Sequence, residues 1–245
     1  MPLSATINVD MGESYGPWHL GADEALMPYL DYANVACGYH AGDHDVMGKT
    51  AALAKKHGVN IGCHPGLPDL QGFGRREMHL PPASFFNMIV YQAGALSGFL
   101  KLNELEMSHY VMSSKNIELA REAARVAKLY SVPMLGLPGS AHQDACEELG
   151  VEFIPEFYAD LQYTDEAKLL APRSAAERHP ITGEEVYTRV KGMLETSTWK
   201  SLNGVELKFP ESTNKVSICV HGDFPGAEDV AKAVRKAIDD VKSSQ

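Results

Sequence analysis

The stretch that most constrains this chain is Ala33-Asn34-Val35-Ala36-Cys37-Gly38-Tyr39-His40-Ala41-Gly42-Asp43. A short apolar run of this kind reads as a buried strand. It empties into a glycine-flanked histidine, followed by an acidic residue suited to cap a helix. One unit earlier Ile7-Asn8-Val9 runs into Asp10, and one unit later Val59-Asn60-Ile61-Gly62-Cys63 runs into His64-Pro65. Three successive strands thus each deliver a titratable side chain at the carboxyl end, the edge where parallel α/β folds bind ligands and do chemistry.

The rest of the chain continues the alternation. Strands are expected at Ala5–Val9, Ala33–Cys37, Val59–Cys63, Met107–Met112, Pro133–Leu137, Val151–Phe157 and Val216–Val220. Amphipathic stretches lie between them. The clearest is the last, where Ala227, Val230, Ala231, Val234, Ala237, Ile238 and Val241 recur at helical spacing. A helix from Asp43 or His44 to His57 has an acidic start and a glycine stop at Gly58, and Pro81-Pro82 opens another through Phe85, Ile89, Ala93 and Leu96. Repeated βα units of this number commonly close into a seven-stranded parallel (β/α) barrel, with an open doubly wound sheet as the alternative. One domain over residues 1–245 is the simplest account. Gln162 to His179 reads as a long loop over the pocket before a helix around Glu184 to Leu194. Ser201 to Pro210, around Asn203-Gly204, reads as a hairpin.

A net charge of -10 disfavours nucleic acid or an anionic membrane as partner and favours a small molecule or another protein. No apolar run reaches the roughly 18 residues of a membrane span. Met1-Pro2-Leu3-Ser4 lacks the features of a secretory signal, so a cytoplasmic location is expected. Cys37, Cys63, Cys146 and Cys219 are far apart and read as buried thiols.

Asp10 and Glu13 flank Gly12 just past the first strand, where crowded carboxyls make an acid or base pair, unless one of them caps a helix near Leu20. His40 and His64, at equivalent strand ends, complete the catalytic candidates. Asp10, His40 and His64 suit a divalent cation, or act without metal with a histidine shuttling protons. Arg75 and Arg76, in Gly72-Phe73-Gly74-Arg75-Arg76, are candidates to hold a carboxylate or phosphate. Asn34, Asp43 and His221 join them as candidate substrate contacts, Asp43 being also the best helix cap. His44 and Asp45 read as a solvated first helical turn. His221-Gly222-Asp223 sits where a last strand would adjoin the first, with Asp223 alternatively capping the final helix. No GxxxxGK[ST] loop is present.

The runs NVDMGE (8–13), ANVACGYHAGD (33–43), IGCHPGLPDLQGFGRR (61–76), YQAGAL (91–96) and CVHGD (219–223) resemble the LamB/YcsF family, whose members form one component of the bacterial 5-oxoprolinase. The resemblance spans nearly the whole chain. It implies a seven-stranded barrel related to the sugar deacetylases, and a part in ATP-dependent opening of 5-oxoproline to glutamate beside two further subunits. It further implies base or orienting roles for Asp10, His40 and His64, and a substrate-holding role for Arg75 or Arg76. The chain departs from the family pattern at Thr6, where an acidic residue is usual, and at Leu161, where an arginine follows the Ala-Asp pair. It also departs at Met107 to Asn116, which is shorter than the usual VKPHGALYN block. These departures leave open a metal-dependent, deacetylase-like amide hydrolase without ATP and a non-catalytic scaffold protein.

Overall fold

A computed structural model describes residues 3–112, 116–170, 181–224 and 226–244. Strand β1 (Ser4–Met11) shows why a barrel forms. Its side chains alternate, with Ala5, Ile7, Val9 and Met11 in the outer core against the helices, and Thr6, Asn8 and Asp10 joining a polar network inside. After a short helix α1 (Asp23–Leu26) come β2 (Tyr32–Ala36), α2 (His44–His57), β3 (Asn60–His64), α3 (Pro82–Leu102), β4 (Met107–Val111), α4 (Ile117–Leu129), β5 (Met134–Gly136), α5 (Ala141–Leu149) and β6 (Phe153–Tyr158). Two small hairpins follow, β7 (Gln162–Tyr163) with β8 (Leu169–Leu170), and β9 (Thr198–Lys200) with β10 (Glu206–Lys208). Helix α6 (Gly183–Thr196) lies between them. Strand β11 (Lys215–Val220) and helix α7 (Ala227–Ser243) end the fold.

Seven strands, all paired in parallel, close in the order β1-β11-β6-β5-β4-β3-β2. The seven expected strands are these seven. Helix α2 starts where Asp43 accepts the Val46 N–H at 2.9 Å and stops at Gly58, whose φ of 69° completes the cap. Helix α3 begins at Pro82 and buries Phe85, Ile89, Ala93, Leu96 and Leu100, each large apolar side chain contributing roughly 1.5–3 kcal/mol. Helix α7 places its apolar stripe on the same outer core. The four cysteines are free and buried. Among the described residues no helix is long and apolar enough to cross a membrane.

Three local expectations change. Part of the loop after Gln162 is a hairpin, because Thr164 N–H donates to Lys168 O around Ala167 at φ 60°, and the Tyr163 hydroxyl accepts from Tyr158 N–H. Residues 171–179 of that loop lie outside the described residues. Neither Asp10 nor Glu13 caps a helix, since α1 is preceded by Ala22 and has no side-chain cap. Asp223 does not cap α7 either, which begins from Gly226.

Candidate active site at the barrel mouth

Asp10, Asn34, Gly62 and His109 stand in register on four neighbouring strands and form one layer of the barrel interior. Asn34 gives its amide hydrogens to Asn8 Oδ1 (2.8 Å) and Asp10 Oδ1 (2.9 Å), so its own oxygen accepts from His109 Nε2 at 2.6 Å. His109 is therefore the Nε2–H tautomer, with Ser108 Oγ against Nδ1 at 2.7 Å. Burial pushes the His109 imidazole down to about 3, so it is neutral. Gly62 makes the layer possible, because a Cβ there would overlap the His109 ring.

Above this layer the exits of β1 and β2 touch. Gly42, at φ 78°, lies so close to Gly12 that a Cβ would come within 2.6 Å of the Gly12 carbonyl, and Gly42 N–H donates to Glu13 O. This approach folds Glu13 back over Asp10 and beside His40. Asp10 Oδ2 lies 3.6 Å from His64 Nε2, while His64 Nδ1 sits 3.2 Å from the Val111 carbonyl. A carbonyl only accepts, so Nδ1 carries a hydrogen and Nε2 is left facing the carboxylate. Burial opposes ionisation of Asp10, but His64, His221 and the Asn34 amide outweigh it and hold the carboxyl below its usual range. Glu13 goes the other way. Burial first, then the charges of Asp10, Asp223 and Asp23, push its carboxyl well above the usual range.

His40 is 5% exposed, and neither ring nitrogen has a hydrogen-bond partner among the described residues. Its ring packs edge-on to His64 at 4.6 Å and to Phe73 at 6.0 Å, and burial pushes it down to about 3. Ligand atoms of Glu13, His40 and His64 all lie within 4.8 Å of one another, the one such group of His, Cys, Asp or Glu among the described residues. Arg75 acts electrostatically on both Glu13 and His40, which places its charge at the same mouth.

The structure thus brings together Asp10, Glu13, His40 and His64, with Arg75 and His221 at their edge. It sets Asn34 beneath them, fully buried, with its amide committed within the barrel. Asp43 is occupied twice, by Val46 N–H and by Gly16 N–H at 2.8 Å. Arg76 is tied to Asp69, which also accepts the N–H groups of Gly72 and Arg76. His44 and Asp45 are solvent-exposed, as expected of the first turn of α2.

The letters alone do not assign three further members of the site. Asp160 accepts from His221 Nδ1 at 3.0 Å and from His221 N–H. Glu156, 2% exposed, accepts from the Tyr158 hydroxyl at 2.9 Å, and burial, then the charge of Asp10, pushes it up to about 7. His109 is the third. The usable signal for Glu156 is the period-two alternation of Ile154, Glu156 and Tyr158, which points a lone acid inward.

Comparison with known proteins settles the ancestry. The LamB/YcsF family profile matches residues 5–244. The chain belongs to the LamB/YcsF family. Among its LamB/YcsF relatives, the lactam utilization protein lamB of Emericella nidulans is 40% identical over 96% of this chain and 94% of its own length. The A component of the 5-oxoprolinase of Bacillus subtilis is 37% identical over 95% and 92%. A crystal structure of a lactam utilization protein from Thermus thermophilus superposes with a TM-score of 0.87 at 34% identity, covering 98% of both chains. A T48 deacetylase, at 9% identity and a TM-score of 0.50 over 98% of this chain and 85% of the deacetylase, shares the fold alone.

Proposed function

We propose that this LamB/YcsF chain is a hydrolase of cyclic amides that opens 5-oxoproline or a close lactam to the linear amino acid. The observation that carries the reading is two carboxyls pushed in opposite directions, Asp10 down and Glu13 up, facing the buried imidazole of His40 and the half-buried one of His64 at one mouth. His64 Nε2 takes a proton from water, and the imidazolium forms beside the Asp10 carboxylate already in place. The water oxygen adds to the amide carbon. The C–N bond then breaks as Glu13 gives its proton to the leaving nitrogen. Arg75 holds the substrate carboxylate.

Among the described residues, the mouth offers few groups for a nucleotide. The Arg76 guanidinium is taken by Asp69, the start of α2 is taken by the Asp43 carboxylate, and Asp10 and Asp223 place acidic groups where a triphosphate would need cations. Lys115 lies outside the described residues. ATP-coupled activation of the lactam is accordingly assigned to partner subunits, in keeping with relatives named as one lettered component of a 5-oxoprolinase.

A second reading is favoured by the open nitrogens of His40. Glu13, His40 and His64 fit a divalent ion, with Asp10 beside them, and the ion would supply a Lewis acid. Glu13 would then be ionised and unable to act as the acid.

The test is release of linear amino acid from 5-oxoproline by the purified chain, with and without ATP, partner subunits and metal. Metal-free turnover abolished by His64→Ala supports the first reading. Turnover that appears only with zinc or cobalt supports the second. Turnover that survives both His40→Ala and His64→Ala overturns the site.

A further inference from the structure

His40 poses a problem of orientation. A working imidazole is ordinarily aimed by a hydrogen bond to one ring nitrogen, yet His40 has none among the described residues. Shape alone aims it. Gly66 and Gly74 press their backbones against it, so that a Cβ on Gly66 would overlap Nδ1 and a Cβ on Gly74 would sit 2.8 Å from the His40 Cβ. What holds Gly66 in that position is one side chain from helix α3. Gln92, fully buried, accepts the Gly66 N–H through Oε1 and donates to the Gly66 carbonyl through Nε2, each at 2.9 Å. Its amide pairs with Gly66 as a neighbouring strand would, two residues beyond His64. Gln92 lies in the YQAGAL run, which the chemistry of the mouth does not otherwise use.

We infer that Gln92 is the positioning residue for His40, acting through the backbone of Gly66. The inference rests on reading the mouth as a hydrolytic site, in which His40 needs a fixed attitude. Removing the clamp leaves a buried N–H and C=O unpaired, so the segment from Pro65 swings outward to find water and the wall of the His40 cage goes with it.

The test uses the metal-free full-length chain and two measurements. The first is carbethoxylation of individual histidines by diethyl pyrocarbonate, read by peptide mass spectrometry, with exposed His44 as internal standard. In Gln92→Leu the rate at His40 relative to His44 is expected to rise at least about tenfold, because the cage now opens. The second is kcat against KM for lactam opening, where kcat is expected to fall about 100-fold with KM nearly unchanged, as for a displaced catalytic group.

Gln92→Glu keeps the acceptor for Gly66 N–H and loses the donor, so it should lie between the two. It also serves as the decisive variant if Gln92→Leu fails to fold. A folded variant that melts lower but keeps the wild-type His40 labelling rate overturns the inference. Labelling needs no turnover, so it decides the role of Gln92 even if the lactam reading fails.

Discussion

Asp10 and Glu13 are separated by two residues, yet their carboxyls are pushed in opposite directions, because His64, His221 and the Asn34 amide favour the charge on Asp10 while burial and neighbouring acids disfavour it on Glu13. Asp10→Asn should therefore fold normally. The new amide can still accept from Asn34 and can donate to His64 Nε2, occupying the lone pair that takes the proton. Its expected signature is an unchanged melting temperature with kcat lower by roughly 10²–10⁴-fold, read in one turnover assay beside a thermal melt. Glu13→Gln removes the transferable proton, with a kcat loss of similar order. In the wild type, kcat should fall on the alkaline side as Glu13 ionises, and Glu13→Gln should lack that limb. Asp10, His40 and His64 are readable from the letters because each follows an apolar run into a turn. Asp160, Glu156 and His109 are not, because a partner for a side chain is a fact about which strands become neighbours. His221 finds Asp160 only once β11 has paired with β6.

Helices and strands are easier to read than the contacts between them. Capping chemistry marks both ends of α2, and the proline pair marks the start of α3, since these signals act within a few residues. The β7–β8 hairpin escapes such reading because its turn depends on Ala167 in a left-handed conformation, which no glycine advertises. The layer of Asp10, Asn34, Gly62 and His109 likewise depends on strand register. Gly62→Ala should cost about 3 kcal/mol or more in urea unfolding, because the imidazole behind it has no free space to move into. Gly98→Ala is the control. Gly98 sits on the exposed side of α3 with nothing near its missing Cβ, and the change should stabilise by about 0.5–1 kcal/mol. Equal effects at the two positions would refute the layer.

Across the molecule, buried titratable groups set opposite limits on stability with pH. Glu156 and Glu13 have raised values, so their contribution is complete at acid pH and is withdrawn as the pH climbs, through about 7 for Glu156. His40 and His109, held at about 3, contribute fully above the ordinary imidazole value of 6.5, and that contribution is lost as the pH falls toward 3. Thermal melts from pH 4 to 9 should show a maximum between these arms. Glu156→Gln should flatten the alkaline arm, by up to about 1.4 kcal/mol per pH unit below pH 7. An arm unchanged in that variant would place the titration elsewhere. The amide pair of Asn8 and Asn34 carries one further consequence. Carboxamides neither gain nor lose protons at ordinary pH, so Asn8 and Asn34 themselves pass no hydrogen ions down the column beneath Asp10. Where those two amides stand, what His64 and Glu13 exchange in each cycle is turned toward the opening by which the substrate arrives, so a tightly seated ligand or docked partner would slow proton traffic.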